Sequence, residues 1–198
     1  MSNVLTFETE ERTATRPEQR MRAISRALAV VFLILLAVTV LWAAGAVIFS
    51  LILPDHVLVG ARGADLVFGH KPYAKPGMVL FADQPLATRI AGMVDVLIAS
   101  VPVAMTLFNL HGLFRLYATG IVFARENARH LKHIGGWLLV YPFAKFAANM
   151  LFRAFGGTDH AWFSATLIQA LLLGAVVFVI AQVMEIGEEI ERERSEFV

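Results

Sequence analysis

Apolar residues occupy this chain in long, nearly unbroken runs, unlike the alternating segments of about ten residues that build a β-barrel. Residues 27–53 contain no ionisable side chain. At helical rise such a run crosses a hydrocarbon layer of roughly 30 Å with some tilt. Three further runs follow at about 90–114, 134–152 and 161–184. The second is interrupted by Asp95, Pro102, Asn109 and His111, the third by Lys145 and Asn149, and the fourth by Gln169 and Gln182. The pattern predicts an all-α integral membrane protein: a four-transmembrane-helix bundle over 27–184, between a basic N-terminal segment 1–26 and an acidic tail 185–198.

The first run is too long for the 7–15 apolar residues of a signal peptide core and follows some twenty polar residues, so it reads as an uncleaved anchor. Thr15 and Glu18 fit a capping box, with Pro17 in the first turn, and predict a short basic helix leading into that span. The segment 54–88 is punctuated by glycine and proline around short apolar stretches at 57–59, 66–68 and 78–81, which suit either a small hairpin or an interfacial lie. In the tail, Val183, Ile186 and Ile190 recur at helical spacing among six glutamates, so the fourth helix is expected to continue beyond the span as an amphipathic acidic helix.

Composition sharpens this picture. The chain is 58% hydrophobic and only 17% charged, outside the usual range of soluble domains. It has no cysteine, which removes disulfides and thiolate metal sites. The net charge of +1 is uninformative as a total, but its distribution is not. Eleven Lys and Arg lie in the N-terminal segment, the 115–133 loop and the tail, against five in 54–89 and at Arg153. Positive charge marks the cytoplasmic side, so both termini are expected inside.

Polar residues within the runs carry the remaining information, because charges there are costly and turn inward. Asp95, Pro102 and Asn109 repeat every seven residues and share one helix face; Lys145, Asn149 and Arg153 repeat every four and share another. Counted from the same surface, Asp95 lies about 9 Å deep and Lys145 and Gln169 about 12 Å. These three are expected to form a polar layer, with Asp95 and Lys145 salt-bridged and Gln169 hydrogen-bonding one of them. No zinc-protease, phosphate-loop or nucleophile-elbow motif occurs, so no catalytic residue, metal site or cofactor is assigned. His111 and His133 are the one pair that could approach as haem ligands, and the ordinary interfacial reading outweighs it.

Two patches resemble a known family. Gly120, Phe123, Asn127, Leu131, Ile134 and Gly135 are similar to the cytoplasmic signature of the YoaS-like bacterial membrane proteins, domain of unknown function twenty-nine seventy-five. The acidic ending from Glu185 resembles that family's close. The resemblance implies four membrane helices and a small helix-turn-helix regulator as genetic neighbour; it implies no substrate or catalytic residue. Asn127, Leu131, Ile134 and Gly135 fall on one helical face, which suits docking on the bundle, with Gly135 and Gly136 allowing close helix approach.

The resulting expectation is a non-enzymatic regulatory or scaffold protein. Beyond the lipid bilayer, its contact would be a cytoplasmic protein partner, reached through loop 115–133 and the tail, with Arg125, Arg129 and Lys132 facing Glu185, Glu188 and Glu189. Direct nucleic-acid binding is not expected, and a homo-oligomer stays open. Two other classes are kept beside it: a small or proton-coupled transporter using Asp95 and Lys145, and a cofactor-binding redox subunit.

Overall fold

A computed structural model describes residues 16–59, 66–68, 79–120, 125–156 and 165–196. Within them lie four long helices: α1 (Arg16–Ile52), α2 (Leu86–Thr119), α3 (Arg125–Ala154) and α4 (Ala165–Glu196). Three of these contain stretches long and apolar enough to cross a membrane, Gln19–Ile52, Leu86–Thr119 and Thr166–Gly187. The third helix is not one of them, its apolar stretch 134–151 being interrupted by Lys145 and Asn149. It was expected over 134–152 but starts nine residues earlier, so the basic stretch after the second span is the first part of α3 itself. The basic helix expected ahead of the first span is likewise continuous with α1; Thr15 of its capping box lies outside the described residues.

The helices pack in chain order, α1 on α2, α2 on α3 and α3 on α4, and among the described residues no comparable interface joins α1 to α4. Over these residues the helices therefore form an open row rather than a closed four-membered ring. The seam of α1 explains why one neighbour is enough. Ser25, Ala29, Phe32, Leu36, Thr39, Ala43, Ala46 and Ser50 form a series of buried or half-buried positions spaced alternately by four and three, flanked by half-buried Arg22, Leu28, Val47 and Phe49. This is the narrow stripe of coiled-coil packing, and its small side chains let the backbones approach. Ala43 and Ala46 meet Val96 of α2, while Val30, Leu33, Ile34, Leu41 and Trp42 stay exposed.

Small residues also set the α3–α4 crossing. A Cβ at Gly135 would stand 2.8 Å from the Phe178 backbone nitrogen, and one at Gly174 would stand 3.0 Å from the Leu139 nitrogen. Gly136 has open space around its Cβ position, so only the first glycine of the pair serves the close approach. Helix α2 ends at Gly120, whose φ of 89° closes the helix in the left-handed conformation, its N–H on the Leu116 and Tyr117 carbonyls.

Between α1 and α2 the apolar stretches form a three-stranded antiparallel sheet, which decides between the two arrangements expected for them. The strands β1 (Val57–Val59), β2 (Leu66–Phe68) and β3 (Val79–Leu80) lie in the order β2-β1-β3, with Val57 opposite Phe68 and Leu58 opposite both Val67 and Leu80. Successive strand residues point to opposite faces. Val57 and Leu58 are both buried, so the central strand is covered on both sides. Val57, Phe81, Ala91 and Phe152 form one core cluster that fixes the sheet to the ends of α2 and α3. The Thr88 hydroxyl donates to the Phe155 carbonyl at the same end.

The glycine crossing gives a direct test. Gly135→Ala should destabilise the detergent-solubilised protein by about 1–3 kcal/mol, because backbone must move to admit the methyl. Gly136→Ala should be neutral or stabilising, by up to about 1 kcal/mol from helix propensity. Equal effects of the two in thermal melts would show that α3 and α4 do not meet through Gly135.

Candidate functional site

The buried end of the polar layer is an ion pair. Lys145 Nζ lies 3.3 Å and 3.2 Å from the two carboxylate oxygens of Asp95, joining α3 to α2. Asp95 is 1% exposed and the Lys145 side chain 25%. Asp95, Pro102 and Asn109 are all buried, as their common face requires, and Lys145, Asn149 and Arg153 are half-buried. Gln169 does not join them. It sits on the exposed surface of α4, where the packed stripe runs through Leu167, Ala170 and Gly174 instead. Depth alone placed it in the layer, but rotation about the α4 axis turns it away.

A second contact between α2 and α3, about 21 Å along the helix from Asp95, was not anticipated. The Asn109 amide donates to the Met105 carbonyl at 2.7 Å, and its oxygen lies 3.2 Å from His130 Nδ1. Asn109 therefore receives the imidazole proton, and His130 links α3 to α2. Gly112 makes room for the ring: a Cβ there would lie 2.6 Å from His130 Cε1. The Asn109–Gly112 spacing of one helical turn was the available signal. Burial lowers the His130 pKa from its usual 6.5, helped by nearby His133 and Arg129 and opposed by Glu126. The two candidate haem ligands do not face each other. His111 Nδ1 lies 2.9 Å from the Ala29 carbonyl of α1, and His133 is exposed on α3.

At the other end of α3 the expected acidic–basic contact forms through one pair. Lys132 Nζ lies 3.2 Å from Glu185 Oε2, with both side chains 43% exposed. The pair closes a crevice of about 600 Å³ between α3 and α4, lined by Arg125, Glu126, Arg129, Lys132, His133 and Glu185. Arg125 and Arg129 are exposed residues one turn apart. Glu189 is exposed and pairs with none of them among the described contacts, while the Glu188 side chain lies outside the described residues. Glu126 and His133 are the lining residues that charge counting overlooked. Of the signature positions, Asn127, Ile134 and Gly135 are buried, Leu131 is half-buried and Gly120 caps α2; Phe123 lies outside the described residues.

That signature face is turned into the protein, and the acidic ending meets the basic start of α3. The model of a family described as protein of unknown function (DUF2975) matches residues 68–198. The chain belongs to the DUF2975 family. The match contains both ion pairs and the crevice, whereas α1 and β1 precede it. No curated protein and no solved structure matches the chain. DUF2975 membership thus brings a shared sequence and no assigned activity.

Two measurements probe these contacts. Lys145→Met removes the cation that faces the buried Asp95 carboxylate and should cost about 3–5 kcal/mol of stability. Asp95→Asn should cost less, since the exposed part of Lys145 can reach solvent, and the double variant should fall short of the sum. Additive losses in a double-mutant cycle would remove the pair from the account. For His130, a lowered folded pKa means that the unfolded chain takes up protons first as pH falls below 6.5. Stability is therefore undiminished by this group above that pH and declines below it. His130→Gln should flatten the wild-type fall in melting temperature between pH 7.5 and 5.5; parallel curves would exclude His130 as its source.

Proposed function

We propose that the chain is a non-enzymatic protein of the bacterial inner membrane with four spans and both termini in the cytoplasm. Its cytoplasmic face, made of loop 115–133 and the acidic tail, would act as a regulatory or scaffolding platform for a protein partner. The observation that carries this reading is the Lys132–Glu185 ion pair, which ties together two charged segments 53 residues apart. A stretch that only needed to be solvated would not require that tie.

The fourth span is α3. Its composition argues against it in isolation, but α2 and α4 flank it, and Lys145 finds its counter-charge on α2. The large side chains that α3 leaves exposed over the proposed span, Val140, Phe143, Phe146 and Met150, are apolar, and intramembrane charges characteristically face protein. Arg22 and Gly120 lie side by side, which supports a common side for the start of α1 and the α2–α3 turn. The Lys and Arg distribution names that side as cytoplasmic. The partner suggested by the family resemblance is a small helix-turn-helix regulator. The Asp95–Lys145 pair, buried at the Asp95 end, suits a clip that holds helix register rather than a carrier site.

The absence of cysteine makes the topology simple to test. Single cysteines near residues 10, 70, 125, 157 and 195 should react with an impermeant reagent in intact cells only at 70 and 157. Labelling at 125 overturns the topology. For the platform, Lys132→Glu and Glu185→Lys should each weaken capture of the partner from native membranes by about 2–5-fold, the range of an exposed pair. The charge-swapped double variant should restore capture; its failure to do so would exclude the pair as the organising contact.

A further inference from the structure

We infer that the crevice between α3 and α4 is a binding site for the phosphate headgroup of an anionic phospholipid, and that Glu185 occupies its cationic wall when no lipid is bound. The inference rests on the membrane placement just proposed and adds a ligand to it. About 600 Å³ is within the size range of small-molecule sites. Its wall carries Arg125 and Arg129 on successive turns, so two guanidinium groups line one space. Planar forks of this kind bind phosphate oxygens in bidentate fashion.

The charges of the lining show why the site has a built-in competitor. Arg125, Arg129 and Lys132 face Glu126 and Glu185, a formal excess of one positive charge. Moving Glu185 away raises that excess to two. The Lys132–Glu185 pair is half exposed on both sides, and pairs of that kind hold weakly. An arriving phosphate can take the Lys132 ammonium from the glutamate without disturbing the buried core. Lipid rather than a soluble phosphate is the source because of position. The crevice residues 125–133 immediately precede the span proposed at 134–152, which sets them at headgroup depth. Basic pockets between spans on the cytoplasmic side are suited to such headgroups. Displacement of Glu185 would then free α4's acidic end, so the lipid controls the same platform that the partner reads.

The test is a titration of the purified full chain in detergent, read by native mass spectrometry, with phosphatidylglycerol, phosphatidylcholine and inorganic pyrophosphate as separate probes. Phosphatidylglycerol should bind about tenfold more tightly than phosphatidylcholine, and the Arg125→Gln/Arg129→Gln double variant should lose that preference. Changing Arg20 and Arg26 of α1 to glutamine should leave it intact, which separates a site from general basic attraction. Glu185→Gln should strengthen phosphatidylglycerol binding several-fold, a gain that misfolding cannot produce. An unchanged or weaker affinity in Glu185→Gln overturns the competition. Equal binding of the two lipids overturns the site, and pyrophosphate binding without phosphatidylglycerol binding overturns the lipid source. The titration does not depend on orientation or on the partner, so its failure leaves cysteine labelling and partner capture to stand or fall separately.

Discussion

A charge withdrawn from water has to be met by another charge or by strong hydrogen bonds, and this demand organises the central helices. Asp95 is almost wholly enclosed, and Lys145 is the cation that answers it. The pairing fixes both the rotation and the axial register of α2 against α3. Once that register is set, Asn109 comes opposite His130, and Phe81 and Phe152 join Val57 in the cluster that seats the sheet. A shift of either helix by one turn, about 5.4 Å, would break these contacts together. Towards α4, Lys132 of the same third helix reaches Glu185.

Much of the fold was legible in the sequence because long apolar runs and intramembrane charges are both costly to misplace. The four helices, the shared face of Asp95, Pro102 and Asn109, and the Asp95–Lys145 bridge follow from period and depth alone. Gln169 shows where that reasoning stops. A neutral amide tolerates several environments, so its depth carried no information about which way it turned. The Gly135–Gly136 pair makes the same point: both residues allow close approach, and only the partner's position decides which one is used. The sheet was left open by the sequence, because short apolar stretches punctuated by glycine and proline suit a hairpin and an interfacial lie alike.

The candidate site was legible in its charges and not in its shape. Counting Glu and Arg brought the tail and the 115–133 segment together, yet the crevice depends on Arg125 and Lys132 belonging to the same helix that enters the protein core. That continuity was hidden by reading the basic stretch as a loop. Local charge density argues for a solvated connection, whereas the buried Asn127, Ile134 and Gly135 show that the helix was being held from its inner face. The DUF2975 match begins at residue 68, so it includes the pieces from which the crevice and the buried bridge are made and leaves out the first helix.

The open row of helices has a consequence for how the chain assembles. Each helix rests mainly on the one synthesised just before it, and among the described residues no comparable contact between first and last has to close. Assembly can therefore proceed in the order of synthesis, each helix finding its surface already in place. The entropic cost of closure grows only slowly with loop length, so even the long connection from Ile52 to Leu86 adds little to it. The Asp95 carboxylate gains its lysine only when α3 arrives. The interval between the second and third helices is thus the vulnerable moment of biogenesis, and the short connection between them keeps it brief.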